Sequence, residues 1–285
     1  MEKKRVAAIY DYALGIVSVS ILVTSLLLRK TRISNVLFYL ILIAANIMIH
    51  IFMIRIGKVT SSLVPIIELS ALIIFGIPES ALIQLITVFV VDGIINRRPL
   101  RTIFLNVGLI IPAMFVGGRT YYYLLSILGS PRGSYISSIG GIPAAAYFIV
   151  SMMMNYLLIY IHFALLNIKQ FKSVFLKSLS MESTSIVISI PLALTLVGTY
   201  MFSHDHNTLF AVLILLTIIF ICYIFSLSRR LMSANNQLKA LSQVAVTINS
   251  YLDLEKTCRS IINAVDTFVD FKGCYIFEAN LSQAE

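Results

Sequence analysis

The sequence predicts an all-α polytopic membrane protein of about eight transmembrane helices, followed by a coiled-coil helix and the start of an α/β domain. Composition is the first observation behind this. Of 285 residues 59% are hydrophobic and 12% charged, with a mean hydropathy of +0.92, whereas a soluble domain carries about 25% charged residues. The second is alternation: apolar runs long enough to cross a bilayer are separated by short basic clusters. The third is the stretch 225–252, where an apolar span passes into a polar helix with no Gly or Pro between them.

Taken in order, MEKKR precedes an apolar run from Val6 to Leu28, too long for a signal-peptide core and read as a retained span. Further spans are predicted at Val36–Ile54, Val59–Phe75, Glu79–Ile95, Thr102–Leu128, Ile139–Asn167, Glu182–Phe202 and Thr208–Leu227. The third and fourth are joined so closely at Gly76-Ile77-Pro78 that they form a hairpin. Both are short and Pro65 interrupts the first, so a re-entrant pair is an alternative to two full crossings.

Orientation follows from the basic residues. With the C-terminus in the cytosol, MEKKR, Arg55/Lys58, Arg97/Arg98/Arg101, Lys169/Lys172/Lys177 and Arg229/Arg230 all lie inside. Arg132, the Gly76–Pro78 turn and the SHDHN loop lie outside, and Arg29, Lys30 and Arg32 form the one loop that disagrees. The net charge of +9 is thereby assigned to membrane topology and anionic lipid, and nucleic acid is not an expected partner.

Polar residues inside the spans are costly and so informative. Counted at about 1.5 Å per residue, Asn46, Glu68 and Asn155 fall near mid-bilayer. Asp11, His50, Asp92, Asn106 and His162 form a second tier towards the cytosolic face. The functional reading is a midplane cavity lined by Glu68, Asn46 and Asn155 that binds a small polar ligand or a proton. The competing account is interhelical hydrogen bonding that holds the bundle together. Arg119 lies towards the outside, nearer in depth to Glu79 than to Asp92.

Other features have plainer readings. His204-Asp205-His206 is an incomplete metal set and reads as a solvated turn. Tyr121-Tyr122-Tyr123 reads as an interfacial aromatic belt, and Gly117-Gly118 and Gly140-Gly141 as sites of close helix approach or kinking. Pro112, Pro143 and Pro191 mark bends. Cys222, Cys258 and Cys274 have neither disulfide nor metal-ligand spacing, and no cofactor or metal is expected.

Beyond Arg229 and Arg230, Leu231, Ala234, Leu238, Leu241, Ala245, Ile248 and Leu252 recur at steps of three and four. That is the seam of a coiled coil of about three heptads, and it predicts a parallel homodimer; an amphipathic helix packed on its own domain is the alternative. Leu231, Leu238, Leu241 and Ile248 are the expected relay positions. An amphipathic helix capped by Asp253 and a strand at Gly273–Phe277 follow. One helix and one strand cannot close a core, so this domain is expected to be a fragment. The domains predicted are 1–228 in the membrane, 229–252 as the coiled coil and 253–285 as the fragment.

The segment LKALSQVAVTINSYLDLEKTCRSIINAVDTFVDFKGCYIF resembles the start of a bacterial GAF domain. The segment FGIPESALIQLITVFVVDGIINRRPLRTIFLNVG, 75–108, is similar to the MASE-type membrane sensor domains of bacterial cyclic-di-GMP proteins with HD-GYP or GGDEF outputs. That resemblance is carried by an apolar hairpin, a basic-proline turn, the looser Phe104-Leu105-Asn106, and Met154-Asn155-Tyr156. It implies a multi-pass protein of the bacterial inner membrane, with membrane lipid, a second copy and an unknown small ligand as partners. It also implies a relay through the coiled coil to a GAF domain and to cyclic-di-GMP turnover, with a histidine kinase as the next output. No GGDEF, HD-GYP, kinase phosphoacceptor or phosphate-cradling motif occurs, so any enzyme activity would lie in a further domain. A secondary transporter or substrate-binding membrane component is the alternative class.

Overall fold

The computed structural model describes residues 2–29, 33, 35–52, 54–56, 59–61, 63–128, 140–166, 171–202 and 207–250. Eight α-helices are present among them: α1 Glu2–Arg29, α2 Val36–Ile51, α3 Val64–Ile74, α4 Ile77–Val88, α5 Leu100–Ile127, α6 Gly141–Leu166, α7 Phe171–Phe202 and α8 Asn207–Ser250. α4 continues into a π-helical turn at Phe89–Ile95. Two three-residue strands, β1 Ile54–Ile56 and β2 Val59–Ser61, pair antiparallel between α2 and α3 with Arg55 opposite Thr60. The chain divides into two compact units, Met1–Ile224 and Phe225–Glu285.

Within the first unit the apolar surface is turned outward, as a bilayer requires. Ile9, Leu27, Leu28, Ile94, Val187 and Tyr123 are all exposed, while Asp11, Asn46, Glu79 and Gln84 are buried. Among the described residues six helices are long and apolar enough to cross a membrane: those at Arg5–Leu28, Ile77–Ile95, Leu100–Ile127, Gly141–Leu166, Glu182–Met201 and Leu209–Gln243. α2 and α3 are shorter apolar helices of 16 and 11 residues, or about 24 and 17 Å. The expected eight full spans are therefore six long helices and two short ones.

The reason lies around Pro65. The third span was expected from Val59, but 59–61 is strand and α3 starts only at Val64. Pro65 sits in the first turn of α3, where its missing N–H leaves no bond unmade. α3 then buries Val64, Ile66, Ile67, Leu69, Ser70, Ala71, Leu72 and Ile73, nearly its whole circumference. It is a half-length helix at the centre of the bundle, packed on α2, α4 and α7. The turn into α4 lies at Gly76, whose φ of 108° and ψ of −179° suit glycine almost alone.

α1 shows how a span is tied in by one stripe. Ala7, Asp11, Gly15, Ser18 and Leu22 are buried at steps of three and four. Gly15 and Gly108 let α1 and α5 meet: a Cβ on Gly15 would lie 2.6 Å from Phe104, and one on Gly108 2.7 Å from Leu14. Gly117 and Gly118 work similarly, since Cβ atoms there would reach Ser151 of α6 and Ile77 of α4. Gly141 has nothing within 4 Å, so this glycine opens α6 and makes no close approach. Tyr121 is fully buried and Tyr122 donates to the Leu72 carbonyl at 2.7 Å, which leaves Tyr123 alone of the three facing outward. The expected aromatic belt is thus mostly interior packing.

In the second unit α8 continues as far as Ser250 without Gly or Pro. Leu231, Leu238 and Leu241 are exposed at 63%, 66% and 58%. The side chains of Ala245 and Ile248 and all of residues 251–285, including the Asp253 cap and the 273–277 strand, lie outside the described residues, as do 30–32 and the His204–His206 turn.

Candidate functional site

A cavity of about 240 Å³ opens between α3, α5, α6 and α7. Its level follows from its lining. Ile110 and Ala113 stand near the middle of α5, and Met152 and Asn155 near the middle of α6. Val64, Pro65 and Glu68 are the opening turns of α3, so this short helix begins deep inside the bundle. From α7 come Glu182, Ser185 and Ile186.

Each polar side chain here is set by its helix. Glu68 is one turn past Pro65 and accepts a hydrogen bond from the Tyr147 hydroxyl of α6. Tyr147 is fully buried, and Ser151, one turn further on, donates to the Ala113 carbonyl at 3.1 Å. Ser80 of α4 donates to the Glu68 carbonyl at 3.0 Å and fixes the backbone behind the acid. Asn155 is one more turn along the same face of α6, and its carboxamide oxygen is buried with no hydrogen-bond partner. Glu182 stands on the α7 side of the same cavity. The result is two carboxylates, a carboxamide and two serines set among apolar walls.

Glu68 and Asn155 thus line one cavity, whereas Asn46 does not. Asn46 is fully buried between α2 and α4, where its amide donates to Thr87 Oγ1 at 2.8 Å and to Gln84 Oε1 at 3.2 Å. It is interhelical bonding, the competing account of these residues. Glu182 is the functional position that sequence reasoning passed over. The seventh span was expected to start at Glu182, and the apolar stretch of α7 does run from Glu182 to Met201. The helix itself starts eleven residues earlier, at Phe171, and Glu182 joins Asn155 in the cavity lining. The two lysines at 172 and 177 concealed this, because charge ends an apolar run without ending a helix.

Four of the five second-tier residues form two ionic clusters, and the fifth, His50 of α2, has a buried Nε2 without a hydrogen-bond partner. Asp11, 1% exposed, lies 2.5 Å from Arg101 Nε, and its other oxygen is 2.7 Å from His162 Nδ1. Asp92, in the π-helical turn, accepts from Asn106 at 2.7 Å and pairs with Arg98 at 3.2 Å. The π-turn lets the chain double back: Asn96 N–H bonds to the Val91 carbonyl and Arg98 N–H to the Asp92 carbonyl, both at 2.8 Å. Arg97 takes the left-handed conformation, with φ 48°, to complete it. These clusters place the start of α1, the end of the π-turn, the start of α5 and the end of α6 at one level. Arg119 is exposed, while Glu79 is buried beside Tyr39, whose hydroxyl donates to the Glu79 carbonyl at 2.8 Å.

No protein-family model, no curated protein and no solved structure matches this chain. The functional reading therefore rests on the residues themselves.

Proposed function

We propose that this chain is a membrane-embedded sensor and signal-transduction module. A small polar cue enters the cavity at Glu68 and Asn155, and the response travels along α8 to a cytosolic GAF domain and an output. Cyclic-di-GMP synthesis or hydrolysis is the output implied by resemblance, with a histidine kinase next. The protein belongs in this reading to a bacterial inner membrane, with its C-terminus in the cytosol and two copies side by side.

The observation that carries the reading is the cavity itself. Two carboxylic acids and an unpartnered carboxamide oxygen in the middle of an apolar bundle are expensive, and they stand around open volume, whereas Asn46 is packed between α2 and α4 and lies outside the cavity lining. The relay is supported by α8, a 44-residue helix without Gly or Pro whose Leu231, Leu238 and Leu241 are exposed at heptad spacing. A second copy is the occupant that spacing fits.

Disulfide crosslinking tests the relay. In the full chain reconstituted in lipid, with Cys222, Cys258 and Cys274 replaced by serine, cysteine at Leu241 should crosslink between copies far more readily than cysteine at Gln243. Glu68→Gln should change the Leu241 yield. Equal crosslinking at the two positions, or a yield indifferent to Glu68, would overturn it. A secondary transporter is favoured by one observation, the half-length α3 and the π-turn after α4, which interrupt helices beside polar residues. Solute accumulation by proteoliposomes would decide for that class.

A further inference from the structure

The chemistry of the cavity defines the cue more closely, and this step rests on the cavity being the sensory site. Its polar lining is dominated by acceptors, with the Ser185 hydroxyl and the Asn155 amide N–H groups as the other polar atoms. Glu68 and Glu182 supply carboxylates and Asn155 a buried carboxamide oxygen without a partner, while Ser151 already spends its hydroxyl on Ala113. The donor that reaches Glu68 is the hydroxyl of Tyr147. No Lys, Arg or His is among the lining residues. Two acids and an unpaired acceptor around one cavity suit a cation that carries hydrogen-bond donors.

We infer that the cavity binds a small primary ammonium ion. Its three N–H groups match the two carboxylates and the Asn155 oxygen in number and kind. A short hydrocarbon chain would lie against Val64, Phe148, Met152 and Ile186, with the Phe148 ring also favourable to a cation. The volume of about 240 Å³ is some eight waters at about 30 Å³ each, room for a head group and a few carbons. A divalent metal fits less well, since the described residues contain no group of three His, Cys, Asp or Glu side chains. The ammonium has two sources, a free alkylamine or the head group of an ethanolamine lipid.

The experiment uses the full chain in phosphatidylcholine nanodiscs, whose lipid carries no primary amine. n-Propylammonium chloride is titrated calorimetrically at constant ionic strength, with 1-propanol as the uncharged isostere. Saturable binding of propylammonium and none of propanol is expected, and each of Glu68→Gln and Glu182→Gln should weaken it about tenfold or more, the worth of a hydrogen bond to a charged group. The propanol comparison needs no variant and stands even if a substituted protein misfolds. Adding phosphatidylethanolamine separates the sources: competition assigns the head group, and undiminished binding assigns the free amine. Absence of propylammonium binding, equal binding of propanol, or unchanged binding in both folded glutamine variants would overturn the inference. The two proposals fail separately. Binding that leaves Leu241 crosslinking unmoved upholds the ammonium site and overturns the sensor, while crosslinking that follows Glu68 without propylammonium binding does the reverse.

Discussion

The carboxylate of Asp11 lies 2.5 Å from Arg101 Nε, joining two helices whose residues are ninety positions apart in sequence. Asp11 is buried and Arg101 about one-third exposed, so the acid depends on its partner more than the base does. Replacing Arg101 by Gln leaves a buried carboxylate with only His162. That should cost about 3 kcal/mol, the low end of what breaking a buried pair costs. Replacing Arg98, which pairs with the more accessible Asp92, should cost about 1 kcal/mol or less. Thermal unfolding in detergent ranks the two, and an equal or reversed order would contradict the account.

Gly117 is where α5 touches α6. A Cβ there would lie 2.0 Å from Ser151 Oγ and 2.8 Å from the Tyr147 carbonyl, a backbone atom that cannot step aside. Gly117→Ala is expected to destabilise by about 1–3 kcal/mol and to displace the very residues that back Glu68. Gly141→Ala meets nothing within 4 Å and should change the midpoint of unfolding little. Both can be read from one set of melting curves.

Gly76 holds the α3–α4 turn in a backbone region that residues with a Cβ avoid. Gly76→Ala should cost about 1–3 kcal/mol and expose the turn to protease. If the variant melts and resists digestion like the parent, the turn is not held by its glycine.

Asn46 separates architecture from binding. Asn46→Ala removes the bonds to Thr87 and Gln84 and should lower stability by about 1 kcal/mol, typical of hydrogen bonds between membrane helices. Propylammonium titration should be unchanged, because Asn46 is not in the cavity lining. A large loss of binding in a folded Asn46→Ala protein would mean that the two regions are coupled.

Topology has a direct test. Three long helices, α5, α6 and α7, separate Arg98 from Asn207, so the two positions must face opposite sides however the short α2 and α3 are counted. Single cysteines at Arg98 and Asn207, in a cysteine-free background, should react oppositely with an impermeant thiol reagent added to intact cells. The Asn207 cysteine is expected to label from outside, as the distribution of Lys and Arg requires. Labelling of both from one side would refute the crossing pattern.

The sequence by itself determined that the chain is helical and apolar enough to span a membrane, because a backbone in lipid must satisfy its own hydrogen bonds and the helix does so within one segment. It also determined depth, since each residue adds a fixed rise along its helix. That is why Asp11 and His162 could be placed in one tier before their contact was seen. Azimuth was not legible. Asn46, Glu68 and Asn155 share a predicted depth, yet only the last two face a common cavity, because rotation about a helix axis is set by what packs against it. Pro65 was visible as a break, but whether it interrupts a span or starts a half-length helix depended on the room left by α2, α4 and α7. Glu182 was read as the start of its apolar span, as it is, but that it lines the cavity depended on how α7 packs against α3 and α6. Sequence periodicity records the face a helix buries; which faces meet is decided only when all the helices pack at once.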